Sequence, residues 1–143
     1  MTVYYEDLKV GQSASVSHTV TERDVELFGE ATGDMNPVHF DEAYARKTVF
    51  RGRVAHGVLA IGFMSAVMGT QLPGPGSIFL SATTDFKGPV RIGDTVITTC
   101  TVKEIQESRK VVMACRCEVN GKLVVEGEAL VLAPKKPASA SGA

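Results

Sequence analysis

The stretch from Ala55 to about Leu72, AHGVLAIGFMSAVMGTQL, contains no Asp, Glu, Lys or Arg, and it constrains the fold more than any other part of the chain. Small residues recur in it at Ala60, Gly62, Ser65 and Ala66. A helix that is apolar on every face belongs inside a protein, because its whole circumference gains by leaving water. The run is too short and too interrupted by glycine for a membrane span. It is therefore expected as a buried helix, and the remaining chain must supply its cover.

The second half of the sequence has the character of that cover. SIFLSATTDFKGPV, TVITTCTVKEIQ, KVVMACRCEV and KLVVEGEALVLA read as strands, separated by turn signals at Gly88-Pro89, Ile92-Gly93-Asp94, Gln106 to Arg109 and Asn120-Gly121. Asn120-Gly121 is a strong two-residue hairpin signal. Upstream, SASVSHTV alternates with a two-residue period and reads as a first strand, with His18 assigned to its water-facing phase. These elements predict an α+β fold in which an antiparallel meander wraps a long buried central helix. The expected domain runs over 1–133. PKKPASASGA, 134–143, lacks an apolar anchor and is expected as a disordered tail with Lys135 and Lys136 in solvent.

Charge and cysteine content exclude several classes. A net charge of -1 is not the basic excess of a nucleic-acid binder, and it leaves no footprint for a membrane surface. The start, MTVYYEDLKVG, has neither a basic opening nor a long apolar run, so no signal peptide is expected and a cytoplasmic, reduced protein is the default. Cys100, Cys115 and Cys117 form no CxxC pair. Cys115 and Cys117 share one strand face, as small apolar fillers would, so no metal site is expected.

The chemistry concentrates in ATGDMNPVHF. Thr21 can cap a helix that begins with Glu22 and Asp24, packs Val25 and Phe28 inward, and ends near Gly33. Pro37 lacks a backbone donor and drives Asn36 out of helical space, so Asp34 and His39 fall on a loop or turn. On one continuous helix a spacing of five would separate them, whereas a turn folds them toward one point. The residues alone also fit an ordinary loop: Asp34 as a turn cap, Asn36-Pro37 as a turn initiator, His39 as a satisfied histidine. Beyond it, Asp41 can cap a short helical turn that uses Tyr44 as a packing contact. At the apolar helix, His56-Gly57 lies where free backbone amides meet the positive end of the dipole. Gly57 has no side chain to hold a ligand oxygen away, which makes its N–H an oxyanion-hole candidate, with His56 as a capping or packing residue.

TGDMNPVH followed by FDEAYA resembles the signature of the MaoC-like dehydratases, the (R)-specific enoyl-CoA hydratase or hydratase 2 family. The core Gly33-Asp34-x-Asn36-Pro37-x-His39 is intact, with Phe28 upstream and Ala45 downstream. Ala31 departs from the pattern, where a larger aliphatic residue or glycine is expected, and touches packing only. The resemblance implies a hot-dog fold, usually a homodimer, acting on an acyl-CoA. Coenzyme A would be part of the substrate, with no separate cofactor. The implied reaction is syn hydration of a trans-2-enoyl-CoA to the (3R)-3-hydroxyacyl-CoA, with Asp34 as base toward water and His39 as proton donor. Asp34→Asn and His39→Gln are each expected to remove most activity with folding intact. Asn36 is expected to brace the loop and touch substrate. The resemblance places Ser65 beside the acyl pocket with Met68 nearby, although both also suit helix packing. QLPGPGSI resembles short-chain hydratases that feed polyhydroxyalkanoate synthesis. Arg51, Arg53, Lys87 and Arg91 are candidates for the coenzyme's phosphates. Two rivals stand beside this reading: a dehydratase acting on acyl-carrier protein, and a non-catalytic acyl-CoA-binding partner subunit. A hot-dog thioesterase fits the intact loop less well.

Overall fold

The computed structural model describes residues 1–138. The chain forms β1 (Ser13–Thr19), α1 (Glu22–Thr32), two single-turn helices α2 (Pro37–Phe40) and α3 (Glu42–Ala45), and the apolar helix α4 (Leu59–Thr70). Four strands follow: β2 (Ile78–Phe86), β3 (Thr95–Ile105), β4 (Lys110–Val119) and β5 (Lys122–Leu132). All five strands join one antiparallel sheet in the order β1-β3-β4-β5-β2. The hot-dog arrangement expected from the sequence is present, with α4 lying on the inner face of the sheet.

The meander is narrower than expected. Only β3, β4 and β5 are consecutive neighbours, while β2 crosses to the far edge and pairs with β5. Local turns explain the meander. Asn120 (φ 51°) and Gly121 (φ 77°) are both left-handed, as a tight hairpin requires, and Val119 pairs directly with Lys122. Period-two burial then aims Val96, Thr98, Cys100 and Val102 of β3 and Val111, Met113, Cys115, Cys117 and Val119 of β4 into the core. The cysteines are the buried fillers the alternation predicted.

Helix α4 buries Ala60, Met64, Val67 and Met68 against that face, and the three larger side chains each contribute roughly 1.5–3 kcal/mol. Two expectations change here. The helix starts at Leu59, because residues 57–58 form a turn before it and Val58 offers no capping side chain. It is also not covered all round, since Val58, Gly62, Ser65 and Ala66 are exposed. His18 corrects a third reading. It sits on the inward phase of β1 with Ala14 and Val16, its ring 4.9 Å from Phe63 and its Nε2 2.8 Å from Asp24. Tyr44 is 49% exposed and packs little. The chain beyond 133 does not leave the domain at once. Pro134 accepts a hydrogen bond from Tyr5 N–H, and Lys136 reaches Glu6 through its backbone and Asp7 through its ammonium. The rest of the expected tail, 139–143, lies outside the described residues.

Candidate active site

The loop that carries the acid and base is fixed at both ends by its own sequence. Thr21 and Asp24 cap α1 reciprocally: the Thr21 hydroxyl accepts from Asp24 N–H at 3.1 Å, and the Asp24 carboxylate accepts from Thr21 N–H at 2.9 Å. Gly33, at φ 79°, closes the helix in the left-handed conformation that lets the chain turn away. Asp34 follows. Asn36 Oδ1 then accepts from Val38 N–H at 3.2 Å and, with Pro37 at the first helical position, starts α2. The Asn-Pro break therefore ends one helix and begins another, and His39 stands on α2 rather than in the loop.

His39 is buried, and its Nδ1–H donates to the Val54 carbonyl at 2.8 Å, which leaves the Nε2 lone pair free. Burial pushes its imidazole below the ordinary value of 6.5. The Val54 bond and Asp34 oppose that shift, while His56 and Arg53 add to it. At neutral pH the ring is accordingly a neutral acceptor. Asp34 is exposed, with Oδ1 held loosely by Asn36 N–H at 3.3 Å. His56 completes the cluster. Its Nε2–H donates to the Asp34 carbonyl at 2.9 Å, and its ring lies 3.9 Å from that of His39 and 4.5 Å from Phe28. One donor atom from each of Asp34, His39 and His56 lies within 4.8 Å of the others, a spacing found among no other His, Cys, Asp and Glu side chains of the described residues. This cluster could therefore ligate a cation.

His39, His56, Gly57 and Asn36 all line a cavity of about 520 Å³ whose walls include Val20, Leu59, Phe63, Phe86 and Val125. Gly57 lies two residues before α4, and its N–H has no acceptor among the described residues. A side chain there would meet the Phe86 ring at 3.2 Å, so glycine keeps the cavity open at the amide. Asn36 braces α2, as expected, and lines the cavity. Ser65 and Met68 do not line it: Ser65 is on the exposed face of α4, and Met68 is in the core. Their spacing along α4 turns them away from the wall that Leu59, Ala60 and Phe63 form.

The basic candidates also divide. Arg53 is a brace, donating through Nε to the His39 carbonyl at 2.7 Å and pairing with Glu22 at 2.8 Å. Arg91 donates to the Phe50 and Arg53 carbonyls. Both guanidinium groups hold the active-site loops together. Lys87 lines the cavity, and Arg51 borders a second, shallower depression beside Arg53 and Arg91. The sequence reading missed the central place of His56. A single histidine in an apolar run carries no spacing signal, and its partners come from two other segments.

A hot-dog sheet and helix with a neutral imidazole on an apolar cavity and an exposed carboxylate within 4.8 Å of it define a candidate acid–base site, although Asp34 itself does not line the cavity. Residues 7–122 match the model of the MaoC like domain, and the chain belongs to the MaoC-like dehydratase family. It is 51% identical to the (R)-specific enoyl-CoA hydratase of Rhodospirillum rubrum, covering 93% of each chain. It is 47% identical to the 3-hydroxybutyryl-CoA dehydratase of Methylorubrum extorquens, covering 94% of this chain and 86% of that one. Among solved structures, the (R)-hydratase of Aeromonas caviae involved in PHA biosynthesis superposes with a TM-score of 0.86 at 37% identity, covering 90% of this chain and 99% of that one.

Proposed function

We propose that this protein is an (R)-specific enoyl-CoA hydratase, a hydro-lyase that adds water to a trans-2-enoyl-CoA and gives the (3R)-3-hydroxyacyl-CoA. The observation that carries the reading is a neutral His39 with a free Nε2 that lines an apolar cavity together with the Gly57 N–H, with the Asp34 carboxylate within 4.8 Å of the imidazole. The relatives' names support the coenzyme A thioester and, through the hydroxybutyryl substrate, a short acyl chain.

The geometry suggests how the chemistry balances. Water bound between Asp34 and His39 loses a proton to the pair as its oxygen attacks C3. The thioester oxygen gains negative charge, which the Gly57 amide stabilises. The proton then passes from the pair to C2 on the same face, so that addition is syn and the pair returns to its starting state. Asp34 remains the first acceptor and His39 the donor to C2. Because His39 rests neutral, it must receive the proton through the pair before donating it. No cofactor is needed in this cycle.

The protein is further proposed to act as a homodimer. β2 is an edge strand whose Ile78, Phe79, Leu80 and Phe86 are exposed, and the exposed stripe of α4 is apolar or small. No helix among the described residues is long and apolar enough to cross a membrane. The three buried free thiols suit the reducing cytoplasm, where we place the protein. The test is loss of the conjugated enoyl-thioester absorbance with crotonyl-CoA, followed by assignment of the C3 configuration. An (R) product is expected. An (S) product, or turnover of the acyl-carrier-protein thioester alone, overturns the assignment.

A further inference from the structure

His56 is 3% exposed, yet its Nδ1 has no hydrogen-bond partner. A buried polar atom left without a partner is unfavourable, by roughly 1–3 kcal/mol, and calls for a reason. The rest of the ring supplies one. Because the Asp34 carbonyl can only accept, the proton of His56 is on Nε2, and that bond fixes the backbone of the residue that bears the carboxylate. The face of the same ring lies 3.9 Å from His39, tilted by 33°, and Phe28 and Phe40 hold it from other sides at 4.5 and 5.7 Å. α1 contributes Phe28, α2 contributes Phe40 and His39, and the loop after α1 contributes Asp34. One imidazole thus touches every segment that positions the reacting pair.

We propose that His56 is a positioning residue for the hydration reaction: its Nε2–H sets the backbone of Asp34. The inference rests on the hydratase reading, so wild-type turnover of crotonyl-CoA is the first arm of its test. Without that turnover the function fails, whatever the variants do.

With active wild-type protein, three variants separate the roles. Glutamine places an amide near the position of Nε2 and keeps the donor to Asp34 O. Phenylalanine keeps a ring face but loses the donor, and asparagine is too short to reach. His56→Phe and His56→Asn are expected to lower kcat by about a hundredfold with KM changed little, because a displacement near 1 Å of a reacting group has that effect. His56→Gln is expected to recover most of kcat. Because KM is expected to hold while kcat falls and glutamine restores it, the pattern differs from a general loss of packing, which the asparagine and glutamine variants share. Should His56→Phe fail to fold, the contrast between Gln and Asn decides. Equal kcat in those two overturns the proposal.

Discussion

The structure separates two substitutions that look equivalent in the sequence. In Asp34→Asn, the new Oδ1 can still accept from Asn36 N–H, and the backbone carbonyl still accepts from His56, so no structural bond is lost. In His39→Gln, the buried Nδ1–H that satisfies Val54 O disappears, and the longer amide does not return to that position. Leaving a buried carbonyl without its donor costs about 1–3 kcal/mol. For a domain of this size each kcal/mol lowers Tm by roughly 3–5 °C, so a fall on the order of 5–10 °C is expected. His39→Asn is the cleaner probe, because the asparagine amide nitrogen sits near where Nδ1 was while the free Nε2 is gone. Asp34→Asn and His39→Asn should therefore melt within a few degrees of wild type. Each should lose about 10²–10⁴ in kcat, equivalent to roughly 3–5 kcal/mol of transition-state stabilisation. Crotonyl-CoA hydration and thermal denaturation on the same preparations make the comparison. A His39→Gln protein as stable as His39→Asn would refute the reasoning about Val54, and normal turnover in either amide variant would refute the pair.

Three other outcomes are expected. Since burial lowers the folded-state value of His39 below 6.5, the unfolded chain binds this proton first as pH falls; both kcat/KM and His39's share of stability should be complete above pH 6.5 and lost below it, and acid titration of His39→Asn should lack that component. Gly29→Ala would bring a methyl to 2.7 Å from Phe40 Cζ and 2.9 Å from Met35 Sδ, so it should destabilise by about 1–3 kcal/mol in urea unfolding and lower kcat by disturbing α2. Ala66→Arg places a charge on the exposed stripe of α4 and should give a folded monomer by light scattering; an unchanged dimer would remove that stripe from the interface.

What the sequence revealed and what it hid divide along the range of the interactions. The Thr21 cap, the Gly33 stop, the Asn36-Pro37 restart and the Asn120-Gly121 hairpin each depend on atoms within a few residues, and each formed as its local chemistry dictates. The convergence of Asp34 and His39 was legible for the same reason. The crossing of β2 to the far edge was not, because nothing in Ile78–Phe86 distinguishes pairing with β3 from pairing with β5. The start of α4 was hidden because no capping side chain marks it and the turn at Gly57-Val58 is as uncharged as the helix itself. His18 misled because imidazole counts as polar in an alternation pattern. Its ring nonetheless packs inward on Phe63 once Asp24 satisfies one nitrogen.

The uncovered surfaces bear on the site as well as on assembly. A single sheet can cover only part of the circumference of α4, so an uncharged helix leaves an apolar remainder: Val58, Gly62, Ser65 and Ala66. β2 likewise leaves one row of backbone groups unpaired beside exposed Ile78, Phe79 and Leu80. Both elements run to the cavity. The turn before α4 carries Gly57, and the end of β2 carries Phe86 and then Lys87, which line the same wall, with the Phe86 ring directly over Gly57. A second copy docked on this face would hold Phe86 against Gly57 and restrict the approach to its amide. A monomeric variant should therefore keep its Asp34–His39 geometry and lose substrate affinity, seen as a rise in KM larger than any fall in kcat. A monomer with wild-type KM would show that one chain builds the cavity alone.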